Sequence, residues 1–86
     1  LSSQQEQTVS FDVYPNPSDI EFTVRMPEAR TEGNIQVFTL QGQLVKERPL
    51  NGSLLYRFNS GDLPKGSYFV KVVTNKGTVT RRIIKD

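Results

Sequence analysis

The chain alternates short apolar and polar positions, and no stretch sustains the 3.6-residue period of an amphipathic helix. The clearest alternation runs from Ile20 to Met26, where every second residue is apolar and Glu21 and Thr23 fall on the opposite face. Proline, glycine and asparagine, which favour turns, separate most of these stretches. Seven such segments at roughly 8–12-residue spacing predict an all-β sandwich of antiparallel strands.

The seven predicted strands differ in how they are bounded and charged. The strand at residues 44–48 is rich in charge, which is typical of an edge strand. The last two strands flank an Asn-Lys-Gly reversal and form a closing hairpin. The full set of predicted strands is residues 9–13, 20–26, 35–40, 44–48, 54–58, 67–74 and 78–85.

The turn into the closing hairpin has the spacing of a tyrosine corner. In immunoglobulin-type sandwiches a tyrosine lies two residues before an inward-facing core residue, and here Tyr68 precedes Val70 by two. The alternative is that Tyr68 is simply a buried aromatic residue within a strand. Both interpretations agree with a seven-stranded antiparallel immunoglobulin-like β-sandwich.

The sequence leaves two registers open for the closing hairpin. A three-residue loop would pair Val70 with Arg82, and a two-residue loop at residues 76–77 would pair Val70 with Ile83. A slip of one residue moves every side chain of the last strand to the other face. In both registers Lys71 lies near an arginine of the last strand, and like charges opposite each other are unfavourable.

The composition argues against catalysis by this segment. Its 86 residues are enough for one domain, and they include neither cysteine nor histidine. A disulfide framework, a thiolate site and a histidine base are therefore excluded. The carboxylates near turns, among them Asp19 and Glu21, are too few at close spacing for a calcium site. We expect no catalytic residues, no metal and no cofactor, and a small hydrolase is disfavoured.

Positive charge is concentrated at the end of the chain. Residues 65–86 contain six Lys or Arg and one acidic residue, whereas residues 1–64 contain five basic and eight acidic ones. The charges could be solvated residues that protect sheet edges, or they could dock an acidic partner. Nucleic acid is not an expected partner, because exposed aromatic residues do not alternate with the basic ones.

Four segments, taken together, resemble the type A C-terminal sorting domain of the type IX secretion system (also called the Por secretion system). Each motif is common by itself, but their order and spacing are specific. They are residues 13–17 with Pro15, Asn16 and Pro17, residues 37–45 with Gly42, residues 63–72 with Gly66, Tyr68 and Lys71, and residues 82–85.

The resemblance implies a non-catalytic secretion signal from a Bacteroidota bacterium. Such a domain follows an N-terminal cargo domain that first enters the periplasm, and it directs the cargo through the type IX translocon and its outer-membrane shuttle protein. The product reaches the cell surface or is secreted. The residues implied in translocon recognition are Gly66, Tyr68, Lys71, Arg81, Arg82, Ile83, Ile84 and Lys85.

The resemblance also implies a domain division and further partners. Residues 1–7 are a polar linker and the candidate region for cleavage by a cysteine signal peptidase, at a bond that the sequence does not identify. Residues 8–86 form the sorting domain. Exposed edge strands would also allow a homodimer. The alternative function is a carbohydrate-binding or adhesion β-sandwich, which the absence of tryptophan disfavours.

Overall fold

The computed structural model describes residues 11–15 and 19–86, and it confirms seven antiparallel strands in two sheets. Three predicted features lie outside the described residues. They are the linker at residues 1–7, the strand residue Val9, and Asn16 and Pro17 of the motif at residues 13–17. The strands are β1 (Asp12–Tyr14), β2 (Glu21–Arg25), β3 (Gly33–Thr39), β4 (Leu44–Pro49), β5 (Leu55–Asn59), β6 (Gly66–Thr74) and β7 (Gly77–Lys85).

The strands divide into a three-stranded and a four-stranded sheet. The first has the order β1-β2-β5 and the second the order β4-β3-β6-β7. The charged strand β4 is therefore an edge strand, as predicted. Strand β7 occupies the opposite edge of the four-stranded sheet among the described strands.

The core lies between the two sheets and is filled by alternate residues of each strand. Phe22 and Phe58, from neighbouring strands, stack with their ring centroids 5.0 Å apart. The predicted inward face of residues 20–26 is correct except at Ile20, which precedes the strand and is 68% exposed. Leu54, also expected to alternate inward, lies before β5 and is exposed. The buried apolar residues are Phe11, Phe22, Val24, Met26, Ile35, Val37, Leu50, Tyr56, Phe58, Tyr68, Val70, Val72 and Ile83.

Tyr68 forms the tyrosine corner that its spacing suggested. Its hydroxyl donates a hydrogen bond of 2.6 Å to the carbonyl oxygen of Pro64, four residues earlier, while its ring is buried. Val70, two residues later, is fully buried. The corner anchors the connection into β6 at the point where the chain crosses from one sheet to the other.

The closing hairpin adopts neither of the registers expected from the sequence. Its loop is Asn75–Lys76, so that Thr74 pairs with Gly77 and Val70 pairs with Arg81. The Thr74 hydroxyl stabilises this turn, because it accepts a hydrogen bond from the Lys76 amide and donates one to the Gly77 carbonyl. Local side-chain bonding of this kind favours one turn position over its neighbours.

Gly33 is a packing constraint that the sequence did not reveal, because it lies between the predicted strands at residues 20–26 and 35–40. Its φ angle is +129°, and a Cβ atom added there would lie 2.0 Å from the carbonyl oxygen of Val73. Strand β3 can therefore approach β6 at this pair only with glycine.

We expect Tyr68→Phe to lower the free energy of unfolding by about 1 kcal/mol, because it removes the corner hydrogen bond and keeps the buried ring. In urea, the unfolding midpoint of the 86-residue chain should fall by roughly 1 M. Tyr14→Phe is the matched control, since Tyr14 lies exposed at the end of β1. Equal midpoints for the two variants would contradict a contribution from the corner.

Gly33→Ala should destabilise the chain more than Gly42→Ala. Both positions have positive φ, but the added methyl group meets no atom within 4 Å at Gly42 and meets a strand carbonyl at Gly33. At Gly42 conformational strain alone should lower the free energy of unfolding by about 1–2 kcal/mol. At Gly33, where the strain is combined with the clash, we expect a loss of at least about 3 kcal/mol. Thermal unfolding followed by circular dichroism would compare them, and similar losses would refute the clash.

Candidate functional site

The closing hairpin β6–β7 carries all the residues that the sequence implicated in translocon recognition. Its register distributes them over two faces, because residues paired across antiparallel strands share a face. Five of the eight belong to the inner face or its margin, and three belong to the outer face of the four-stranded sheet.

The inner residues are part of the packing between the sheets. Tyr68 pairs with Ile83, and both are buried. Gly66 pairs with Lys85, the last residue of β7. Lys85 is only 8% exposed, and its ammonium group donates to the backbone oxygen of Asp86 at 3.0 Å. The final lysine is therefore folded against the domain.

Arg81 also belongs to the inner face, where it pairs with buried Val70. Its side chain reaches across to the other sheet: Nε donates a 2.6 Å hydrogen bond to the carbonyl oxygen of Phe11, and the guanidinium carbon lies 5.6 Å from the centre of the Phe11 ring. This contact joins the last strand to the residue that precedes β1. It closes one open side of the sandwich.

Arg48 closes the opposite side of the sandwich in the same way. It lies on edge strand β4, and its Nη1 donates to the carbonyl oxygen of Arg57 at 3.0 Å. Its guanidinium carbon lies 5.7 Å from the ring centre of Tyr56 and 5.8 Å from that of Phe58. Sequence reasoning missed this role, although a charged residue within a predicted edge strand was its one visible signal.

Lys71, Arg82 and Ile84 lie on the outer face. The Lys71 ammonium group is 5.5 Å from the centre of the Phe38 ring, and Arg82 Nη2 donates to the Ser67 hydroxyl at 3.1 Å. Lys71 pairs with Thr80, so it has no like charge directly opposite, while Arg82 lies on the same face in the pair with Phe69. Ile84 is 44% exposed.

The β3–β4 turn, which contains Gly42, lies beside the start of β6. The Gly42 amide donates to the Thr39 carbonyl at 2.9 Å, and a φ of +90° makes glycine the favoured residue there. A shallow depression is lined by residues 39–41 together with residues 64–68. Two of the segments that carry the resemblance, far apart in sequence, therefore meet at one end of the sandwich. Pro15 follows β1 and is exposed.

The described residues contain no cluster of three or more His, Cys, Asp or Glu residues that could hold a metal. Most of the acidic residues that do interact form ion pairs with a single cation: Asp12 with Arg25, Glu28 with Arg30 and Asp62 with Lys46. The hydrogen bond to Asp12 raises the pKa of Arg25. Within the same residues, no helix is long and apolar enough to cross a membrane.

Comparison with known proteins gives a family match over almost the whole described fold. Residues 12–86 match the family described as "Secretion system C-terminal sorting domain". The chain is 34% identical over 79 residues to "Ulvan lyase NLR42" of Nonlabens ulvanivorans; the match covers 92% of this chain and 15% of that protein. The chain thus spans about a seventh of the curated relative that it matches.

A solved structure supports the fold independently of sequence. The crystal structure of CopC from Methylosinus trichosporium OB3b superimposes with a TM-score of 0.56 at 18% identity, and the match covers 92% of this chain and 94% of that one. At this identity the likeness concerns the fold alone, and it agrees with a two-sheet β-sandwich.

Replacing Arg81 by alanine should lower the stability of the fold much more than replacing its neighbour Arg82 does. Arg81→Ala removes a charged hydrogen bond and a cation–ring contact with Phe11, so we expect a loss of about 2 kcal/mol. Arg82→Ala changes an exposed residue and should stay within about 0.5 kcal/mol of the unmodified chain. Urea unfolding measures both, and a larger loss for Arg82→Ala would exclude the bridging role of Arg81.

Proposed function

The chain belongs to the family of secretion system C-terminal sorting domains, and from that premise we propose which of its surfaces the secretion machinery recognises. The domain is a non-catalytic sorting signal for type IX secretion, and a protein that carries it is exported to the cell surface or secreted. The residues that are recognised, the route and the partners are the subject of the proposal.

We propose that the type IX translocon binds the outer face of the β6–β7 hairpin through Lys71, Arg82 and Ile84. The single observation that carries the proposal is the division of the implicated residues by the hairpin register. A partner can reach these three side chains without unfolding the domain. The remaining implicated residues then act by holding the hairpin in place: Gly66, Tyr68, Arg81, Ile83 and Lys85.

The proposed route begins with a cargo domain that precedes this chain and enters the periplasm with it. The translocon and an outer-membrane shuttle protein then take the pair across the outer membrane. A cysteine signal peptidase cuts within residues 1–7 and separates the cargo from a sorting domain of residues 8–86. The burial of Phe11 and its contact with Arg81 support this division, because a cut before residue 8 would spare every described strand.

The cargo, and not this domain, holds the enzymatic or adhesive activity in our proposal. The matched relative carries the name of a lyase, yet the similarity to this chain covers only 15% of it. A homodimer through the edge strands has less support. Arg48 and Arg81 point inward from the two edges of the four-stranded sheet, and inward-pointing charges discourage pairing between edges.

Point substitutions test the proposal better than truncation does. Deleting residues 82–86 would remove Ile83 and Lys85, both of which are buried, and would therefore damage the core. The outer residues can be changed singly or together with little effect on packing, because their side chains project away from it.

We expect the double variant Lys71→Glu/Arg82→Glu to abolish export of a reporter fused before residue 1, in a host with a type IX system. Reversing both charges turns attraction to the partner into repulsion, and a loss of at least about tenfold corresponds to about 1.4 kcal/mol of binding. Surface and medium fractions would be compared with the periplasmic fraction by immunoblotting. Arg57→Glu, a single charge reversal on the outer face of the three-stranded sheet, is the control and should be exported normally. Unimpaired export of the folded double variant would refute the proposal.

A further inference from the structure

The outer face of the four-stranded sheet is more apolar than a solvent-facing sheet surface needs to be. Leu44 pairs with Phe38, Phe38 with Phe69, and Phe69 with Arg82, so these four side chains form one row across all four strands. Strands lie about 4.8 Å apart, which gives the row a length of about 14 Å. We call the surface formed by Phe38, Leu44, Phe69, Lys71, Arg82 and Ile84 the outer platform.

The three-stranded sheet provides an internal comparison. Its outer face pairs Asp12 with Arg25, Tyr14 with Thr23, and Glu21 with Asn59. Acidic and basic groups are balanced there, and Asp12 and Arg25 form an ion pair. That surface is typical of a sheet face in contact with water. Tyr14 and Leu55 are exposed on that face, but each pairs with a polar residue, so no row of apolar side chains crosses the three-stranded sheet as it does the outer platform.

The cations of the outer platform form no salt bridge with a carboxylate of the described residues. Arg25, Arg30 and Lys46 each form a salt bridge with a carboxylate. Within residues 11–15 and 19–86, neither Lys71 nor Arg82 does so; they contact the Phe38 ring and the Ser67 hydroxyl. Glu47, an acidic residue of the same face, accepts a hydrogen bond from Gln36 and lies two strands from Lys71. Two positive charges beside an apolar row remain available to a carboxylate from outside.

We infer that the outer platform as a whole, and not the hairpin alone, is the docking surface, and that its occupant is a protein surface with acidic residues beside apolar ones. The inference rests on the proposed function and extends it to strands β3 and β4. Apolar contacts with Phe38, Leu44 and Phe69 would supply burial, while Lys71 and Arg82 would fix orientation through carboxylates.

Two other occupants fit the surface less well. A phosphate-bearing lipid or glycan could engage Lys71 and Arg82, but it would leave the apolar row of Phe38, Leu44 and Phe69 unused. A second copy of the chain would set two positively charged faces against each other, which is unfavourable for a two-fold pair.

Photocrosslinking from Leu44 and Leu55 provides a matched test. Both are leucines on the outer faces of their sheets, with exposures of 44% and 48%, but only Leu44 belongs to the outer platform. The reporter fusion would carry benzoylphenylalanine in place of one or the other, in a host with a type IX system. Irradiation during export and mass spectrometry would identify the attached molecule and its attachment site.

The expected result is an adduct from position 44, absent from position 55, with a protein segment that contains Asp or Glu beside apolar residues. The adduct should also be lost in the Lys71→Glu/Arg82→Glu background. Adducts with a second copy of the chain, with lipopolysaccharide or with a segment without carboxylates would overturn the inference. So would equal labelling from both positions.

Export variants separate this inference from the proposed function. Leu44→Ser should reduce export of the fusion about tenfold while Leu55→Ser leaves it unchanged, because only the first removes an apolar contact with the partner. If Lys71→Glu/Arg82→Glu blocks export and Leu44→Ser does not, the hairpin alone is recognised and only the inference fails. If neither variant affects export, the proposed function fails as well.

Discussion

The register of the closing hairpin is the constraint on which the rest of this structure depends. The Asn75–Lys76 loop places Val70 opposite Arg81, and every later pair in β7 follows from that choice. A shift of one residue would bring Arg82 and Ile84 against the core and would expose Ile83. The hydrogen bonds made by the Thr74 hydroxyl fix the loop, so a few local contacts determine which residues pack and which face the solvent.

The two inward-pointing arginines cover the open sides of the sandwich. The sides of such a domain expose both the edges of the core and unpaired strand backbone. Arg48 and Arg81 each extend from an edge of the four-stranded sheet, donate to a backbone carbonyl associated with the other sheet, and cover an aromatic ring. A long arginine stem can cover apolar surface while its charged head donates to a backbone oxygen. The domain is thereby closed without cysteine.

Period-2 alternation was enough to predict the number and order of the strands, because it is a local property of each segment. It also identified most of the core of β2, and the spacing of Tyr68 and Val70 suggested the tyrosine corner as one of two interpretations. It failed at β7, where both faces mix charged and apolar residues: Ile83 and Arg81 on one side, Ile84 and Arg82 on the other. A hydrophobic pattern therefore cannot predict which of these two faces packs against the core. The need for Gly33 arises from close approach to a strand forty residues later, which a single sequence does not display.

The candidate site was therefore predicted as a set of residues but not as a surface. On the proposed function, recognition uses Lys71 from β6 together with Arg82 and Ile84 from β7, and these come together only when the hairpin has its correct register. The residues beside them in sequence, Arg81 and Ile83, pack inward and hold that register. Under this proposal the signal exists only in the folded conformation. A partner that binds it therefore distinguishes a folded sorting domain from an unfolded one. On this proposal, stability and recognition are encoded in alternate residues of one strand.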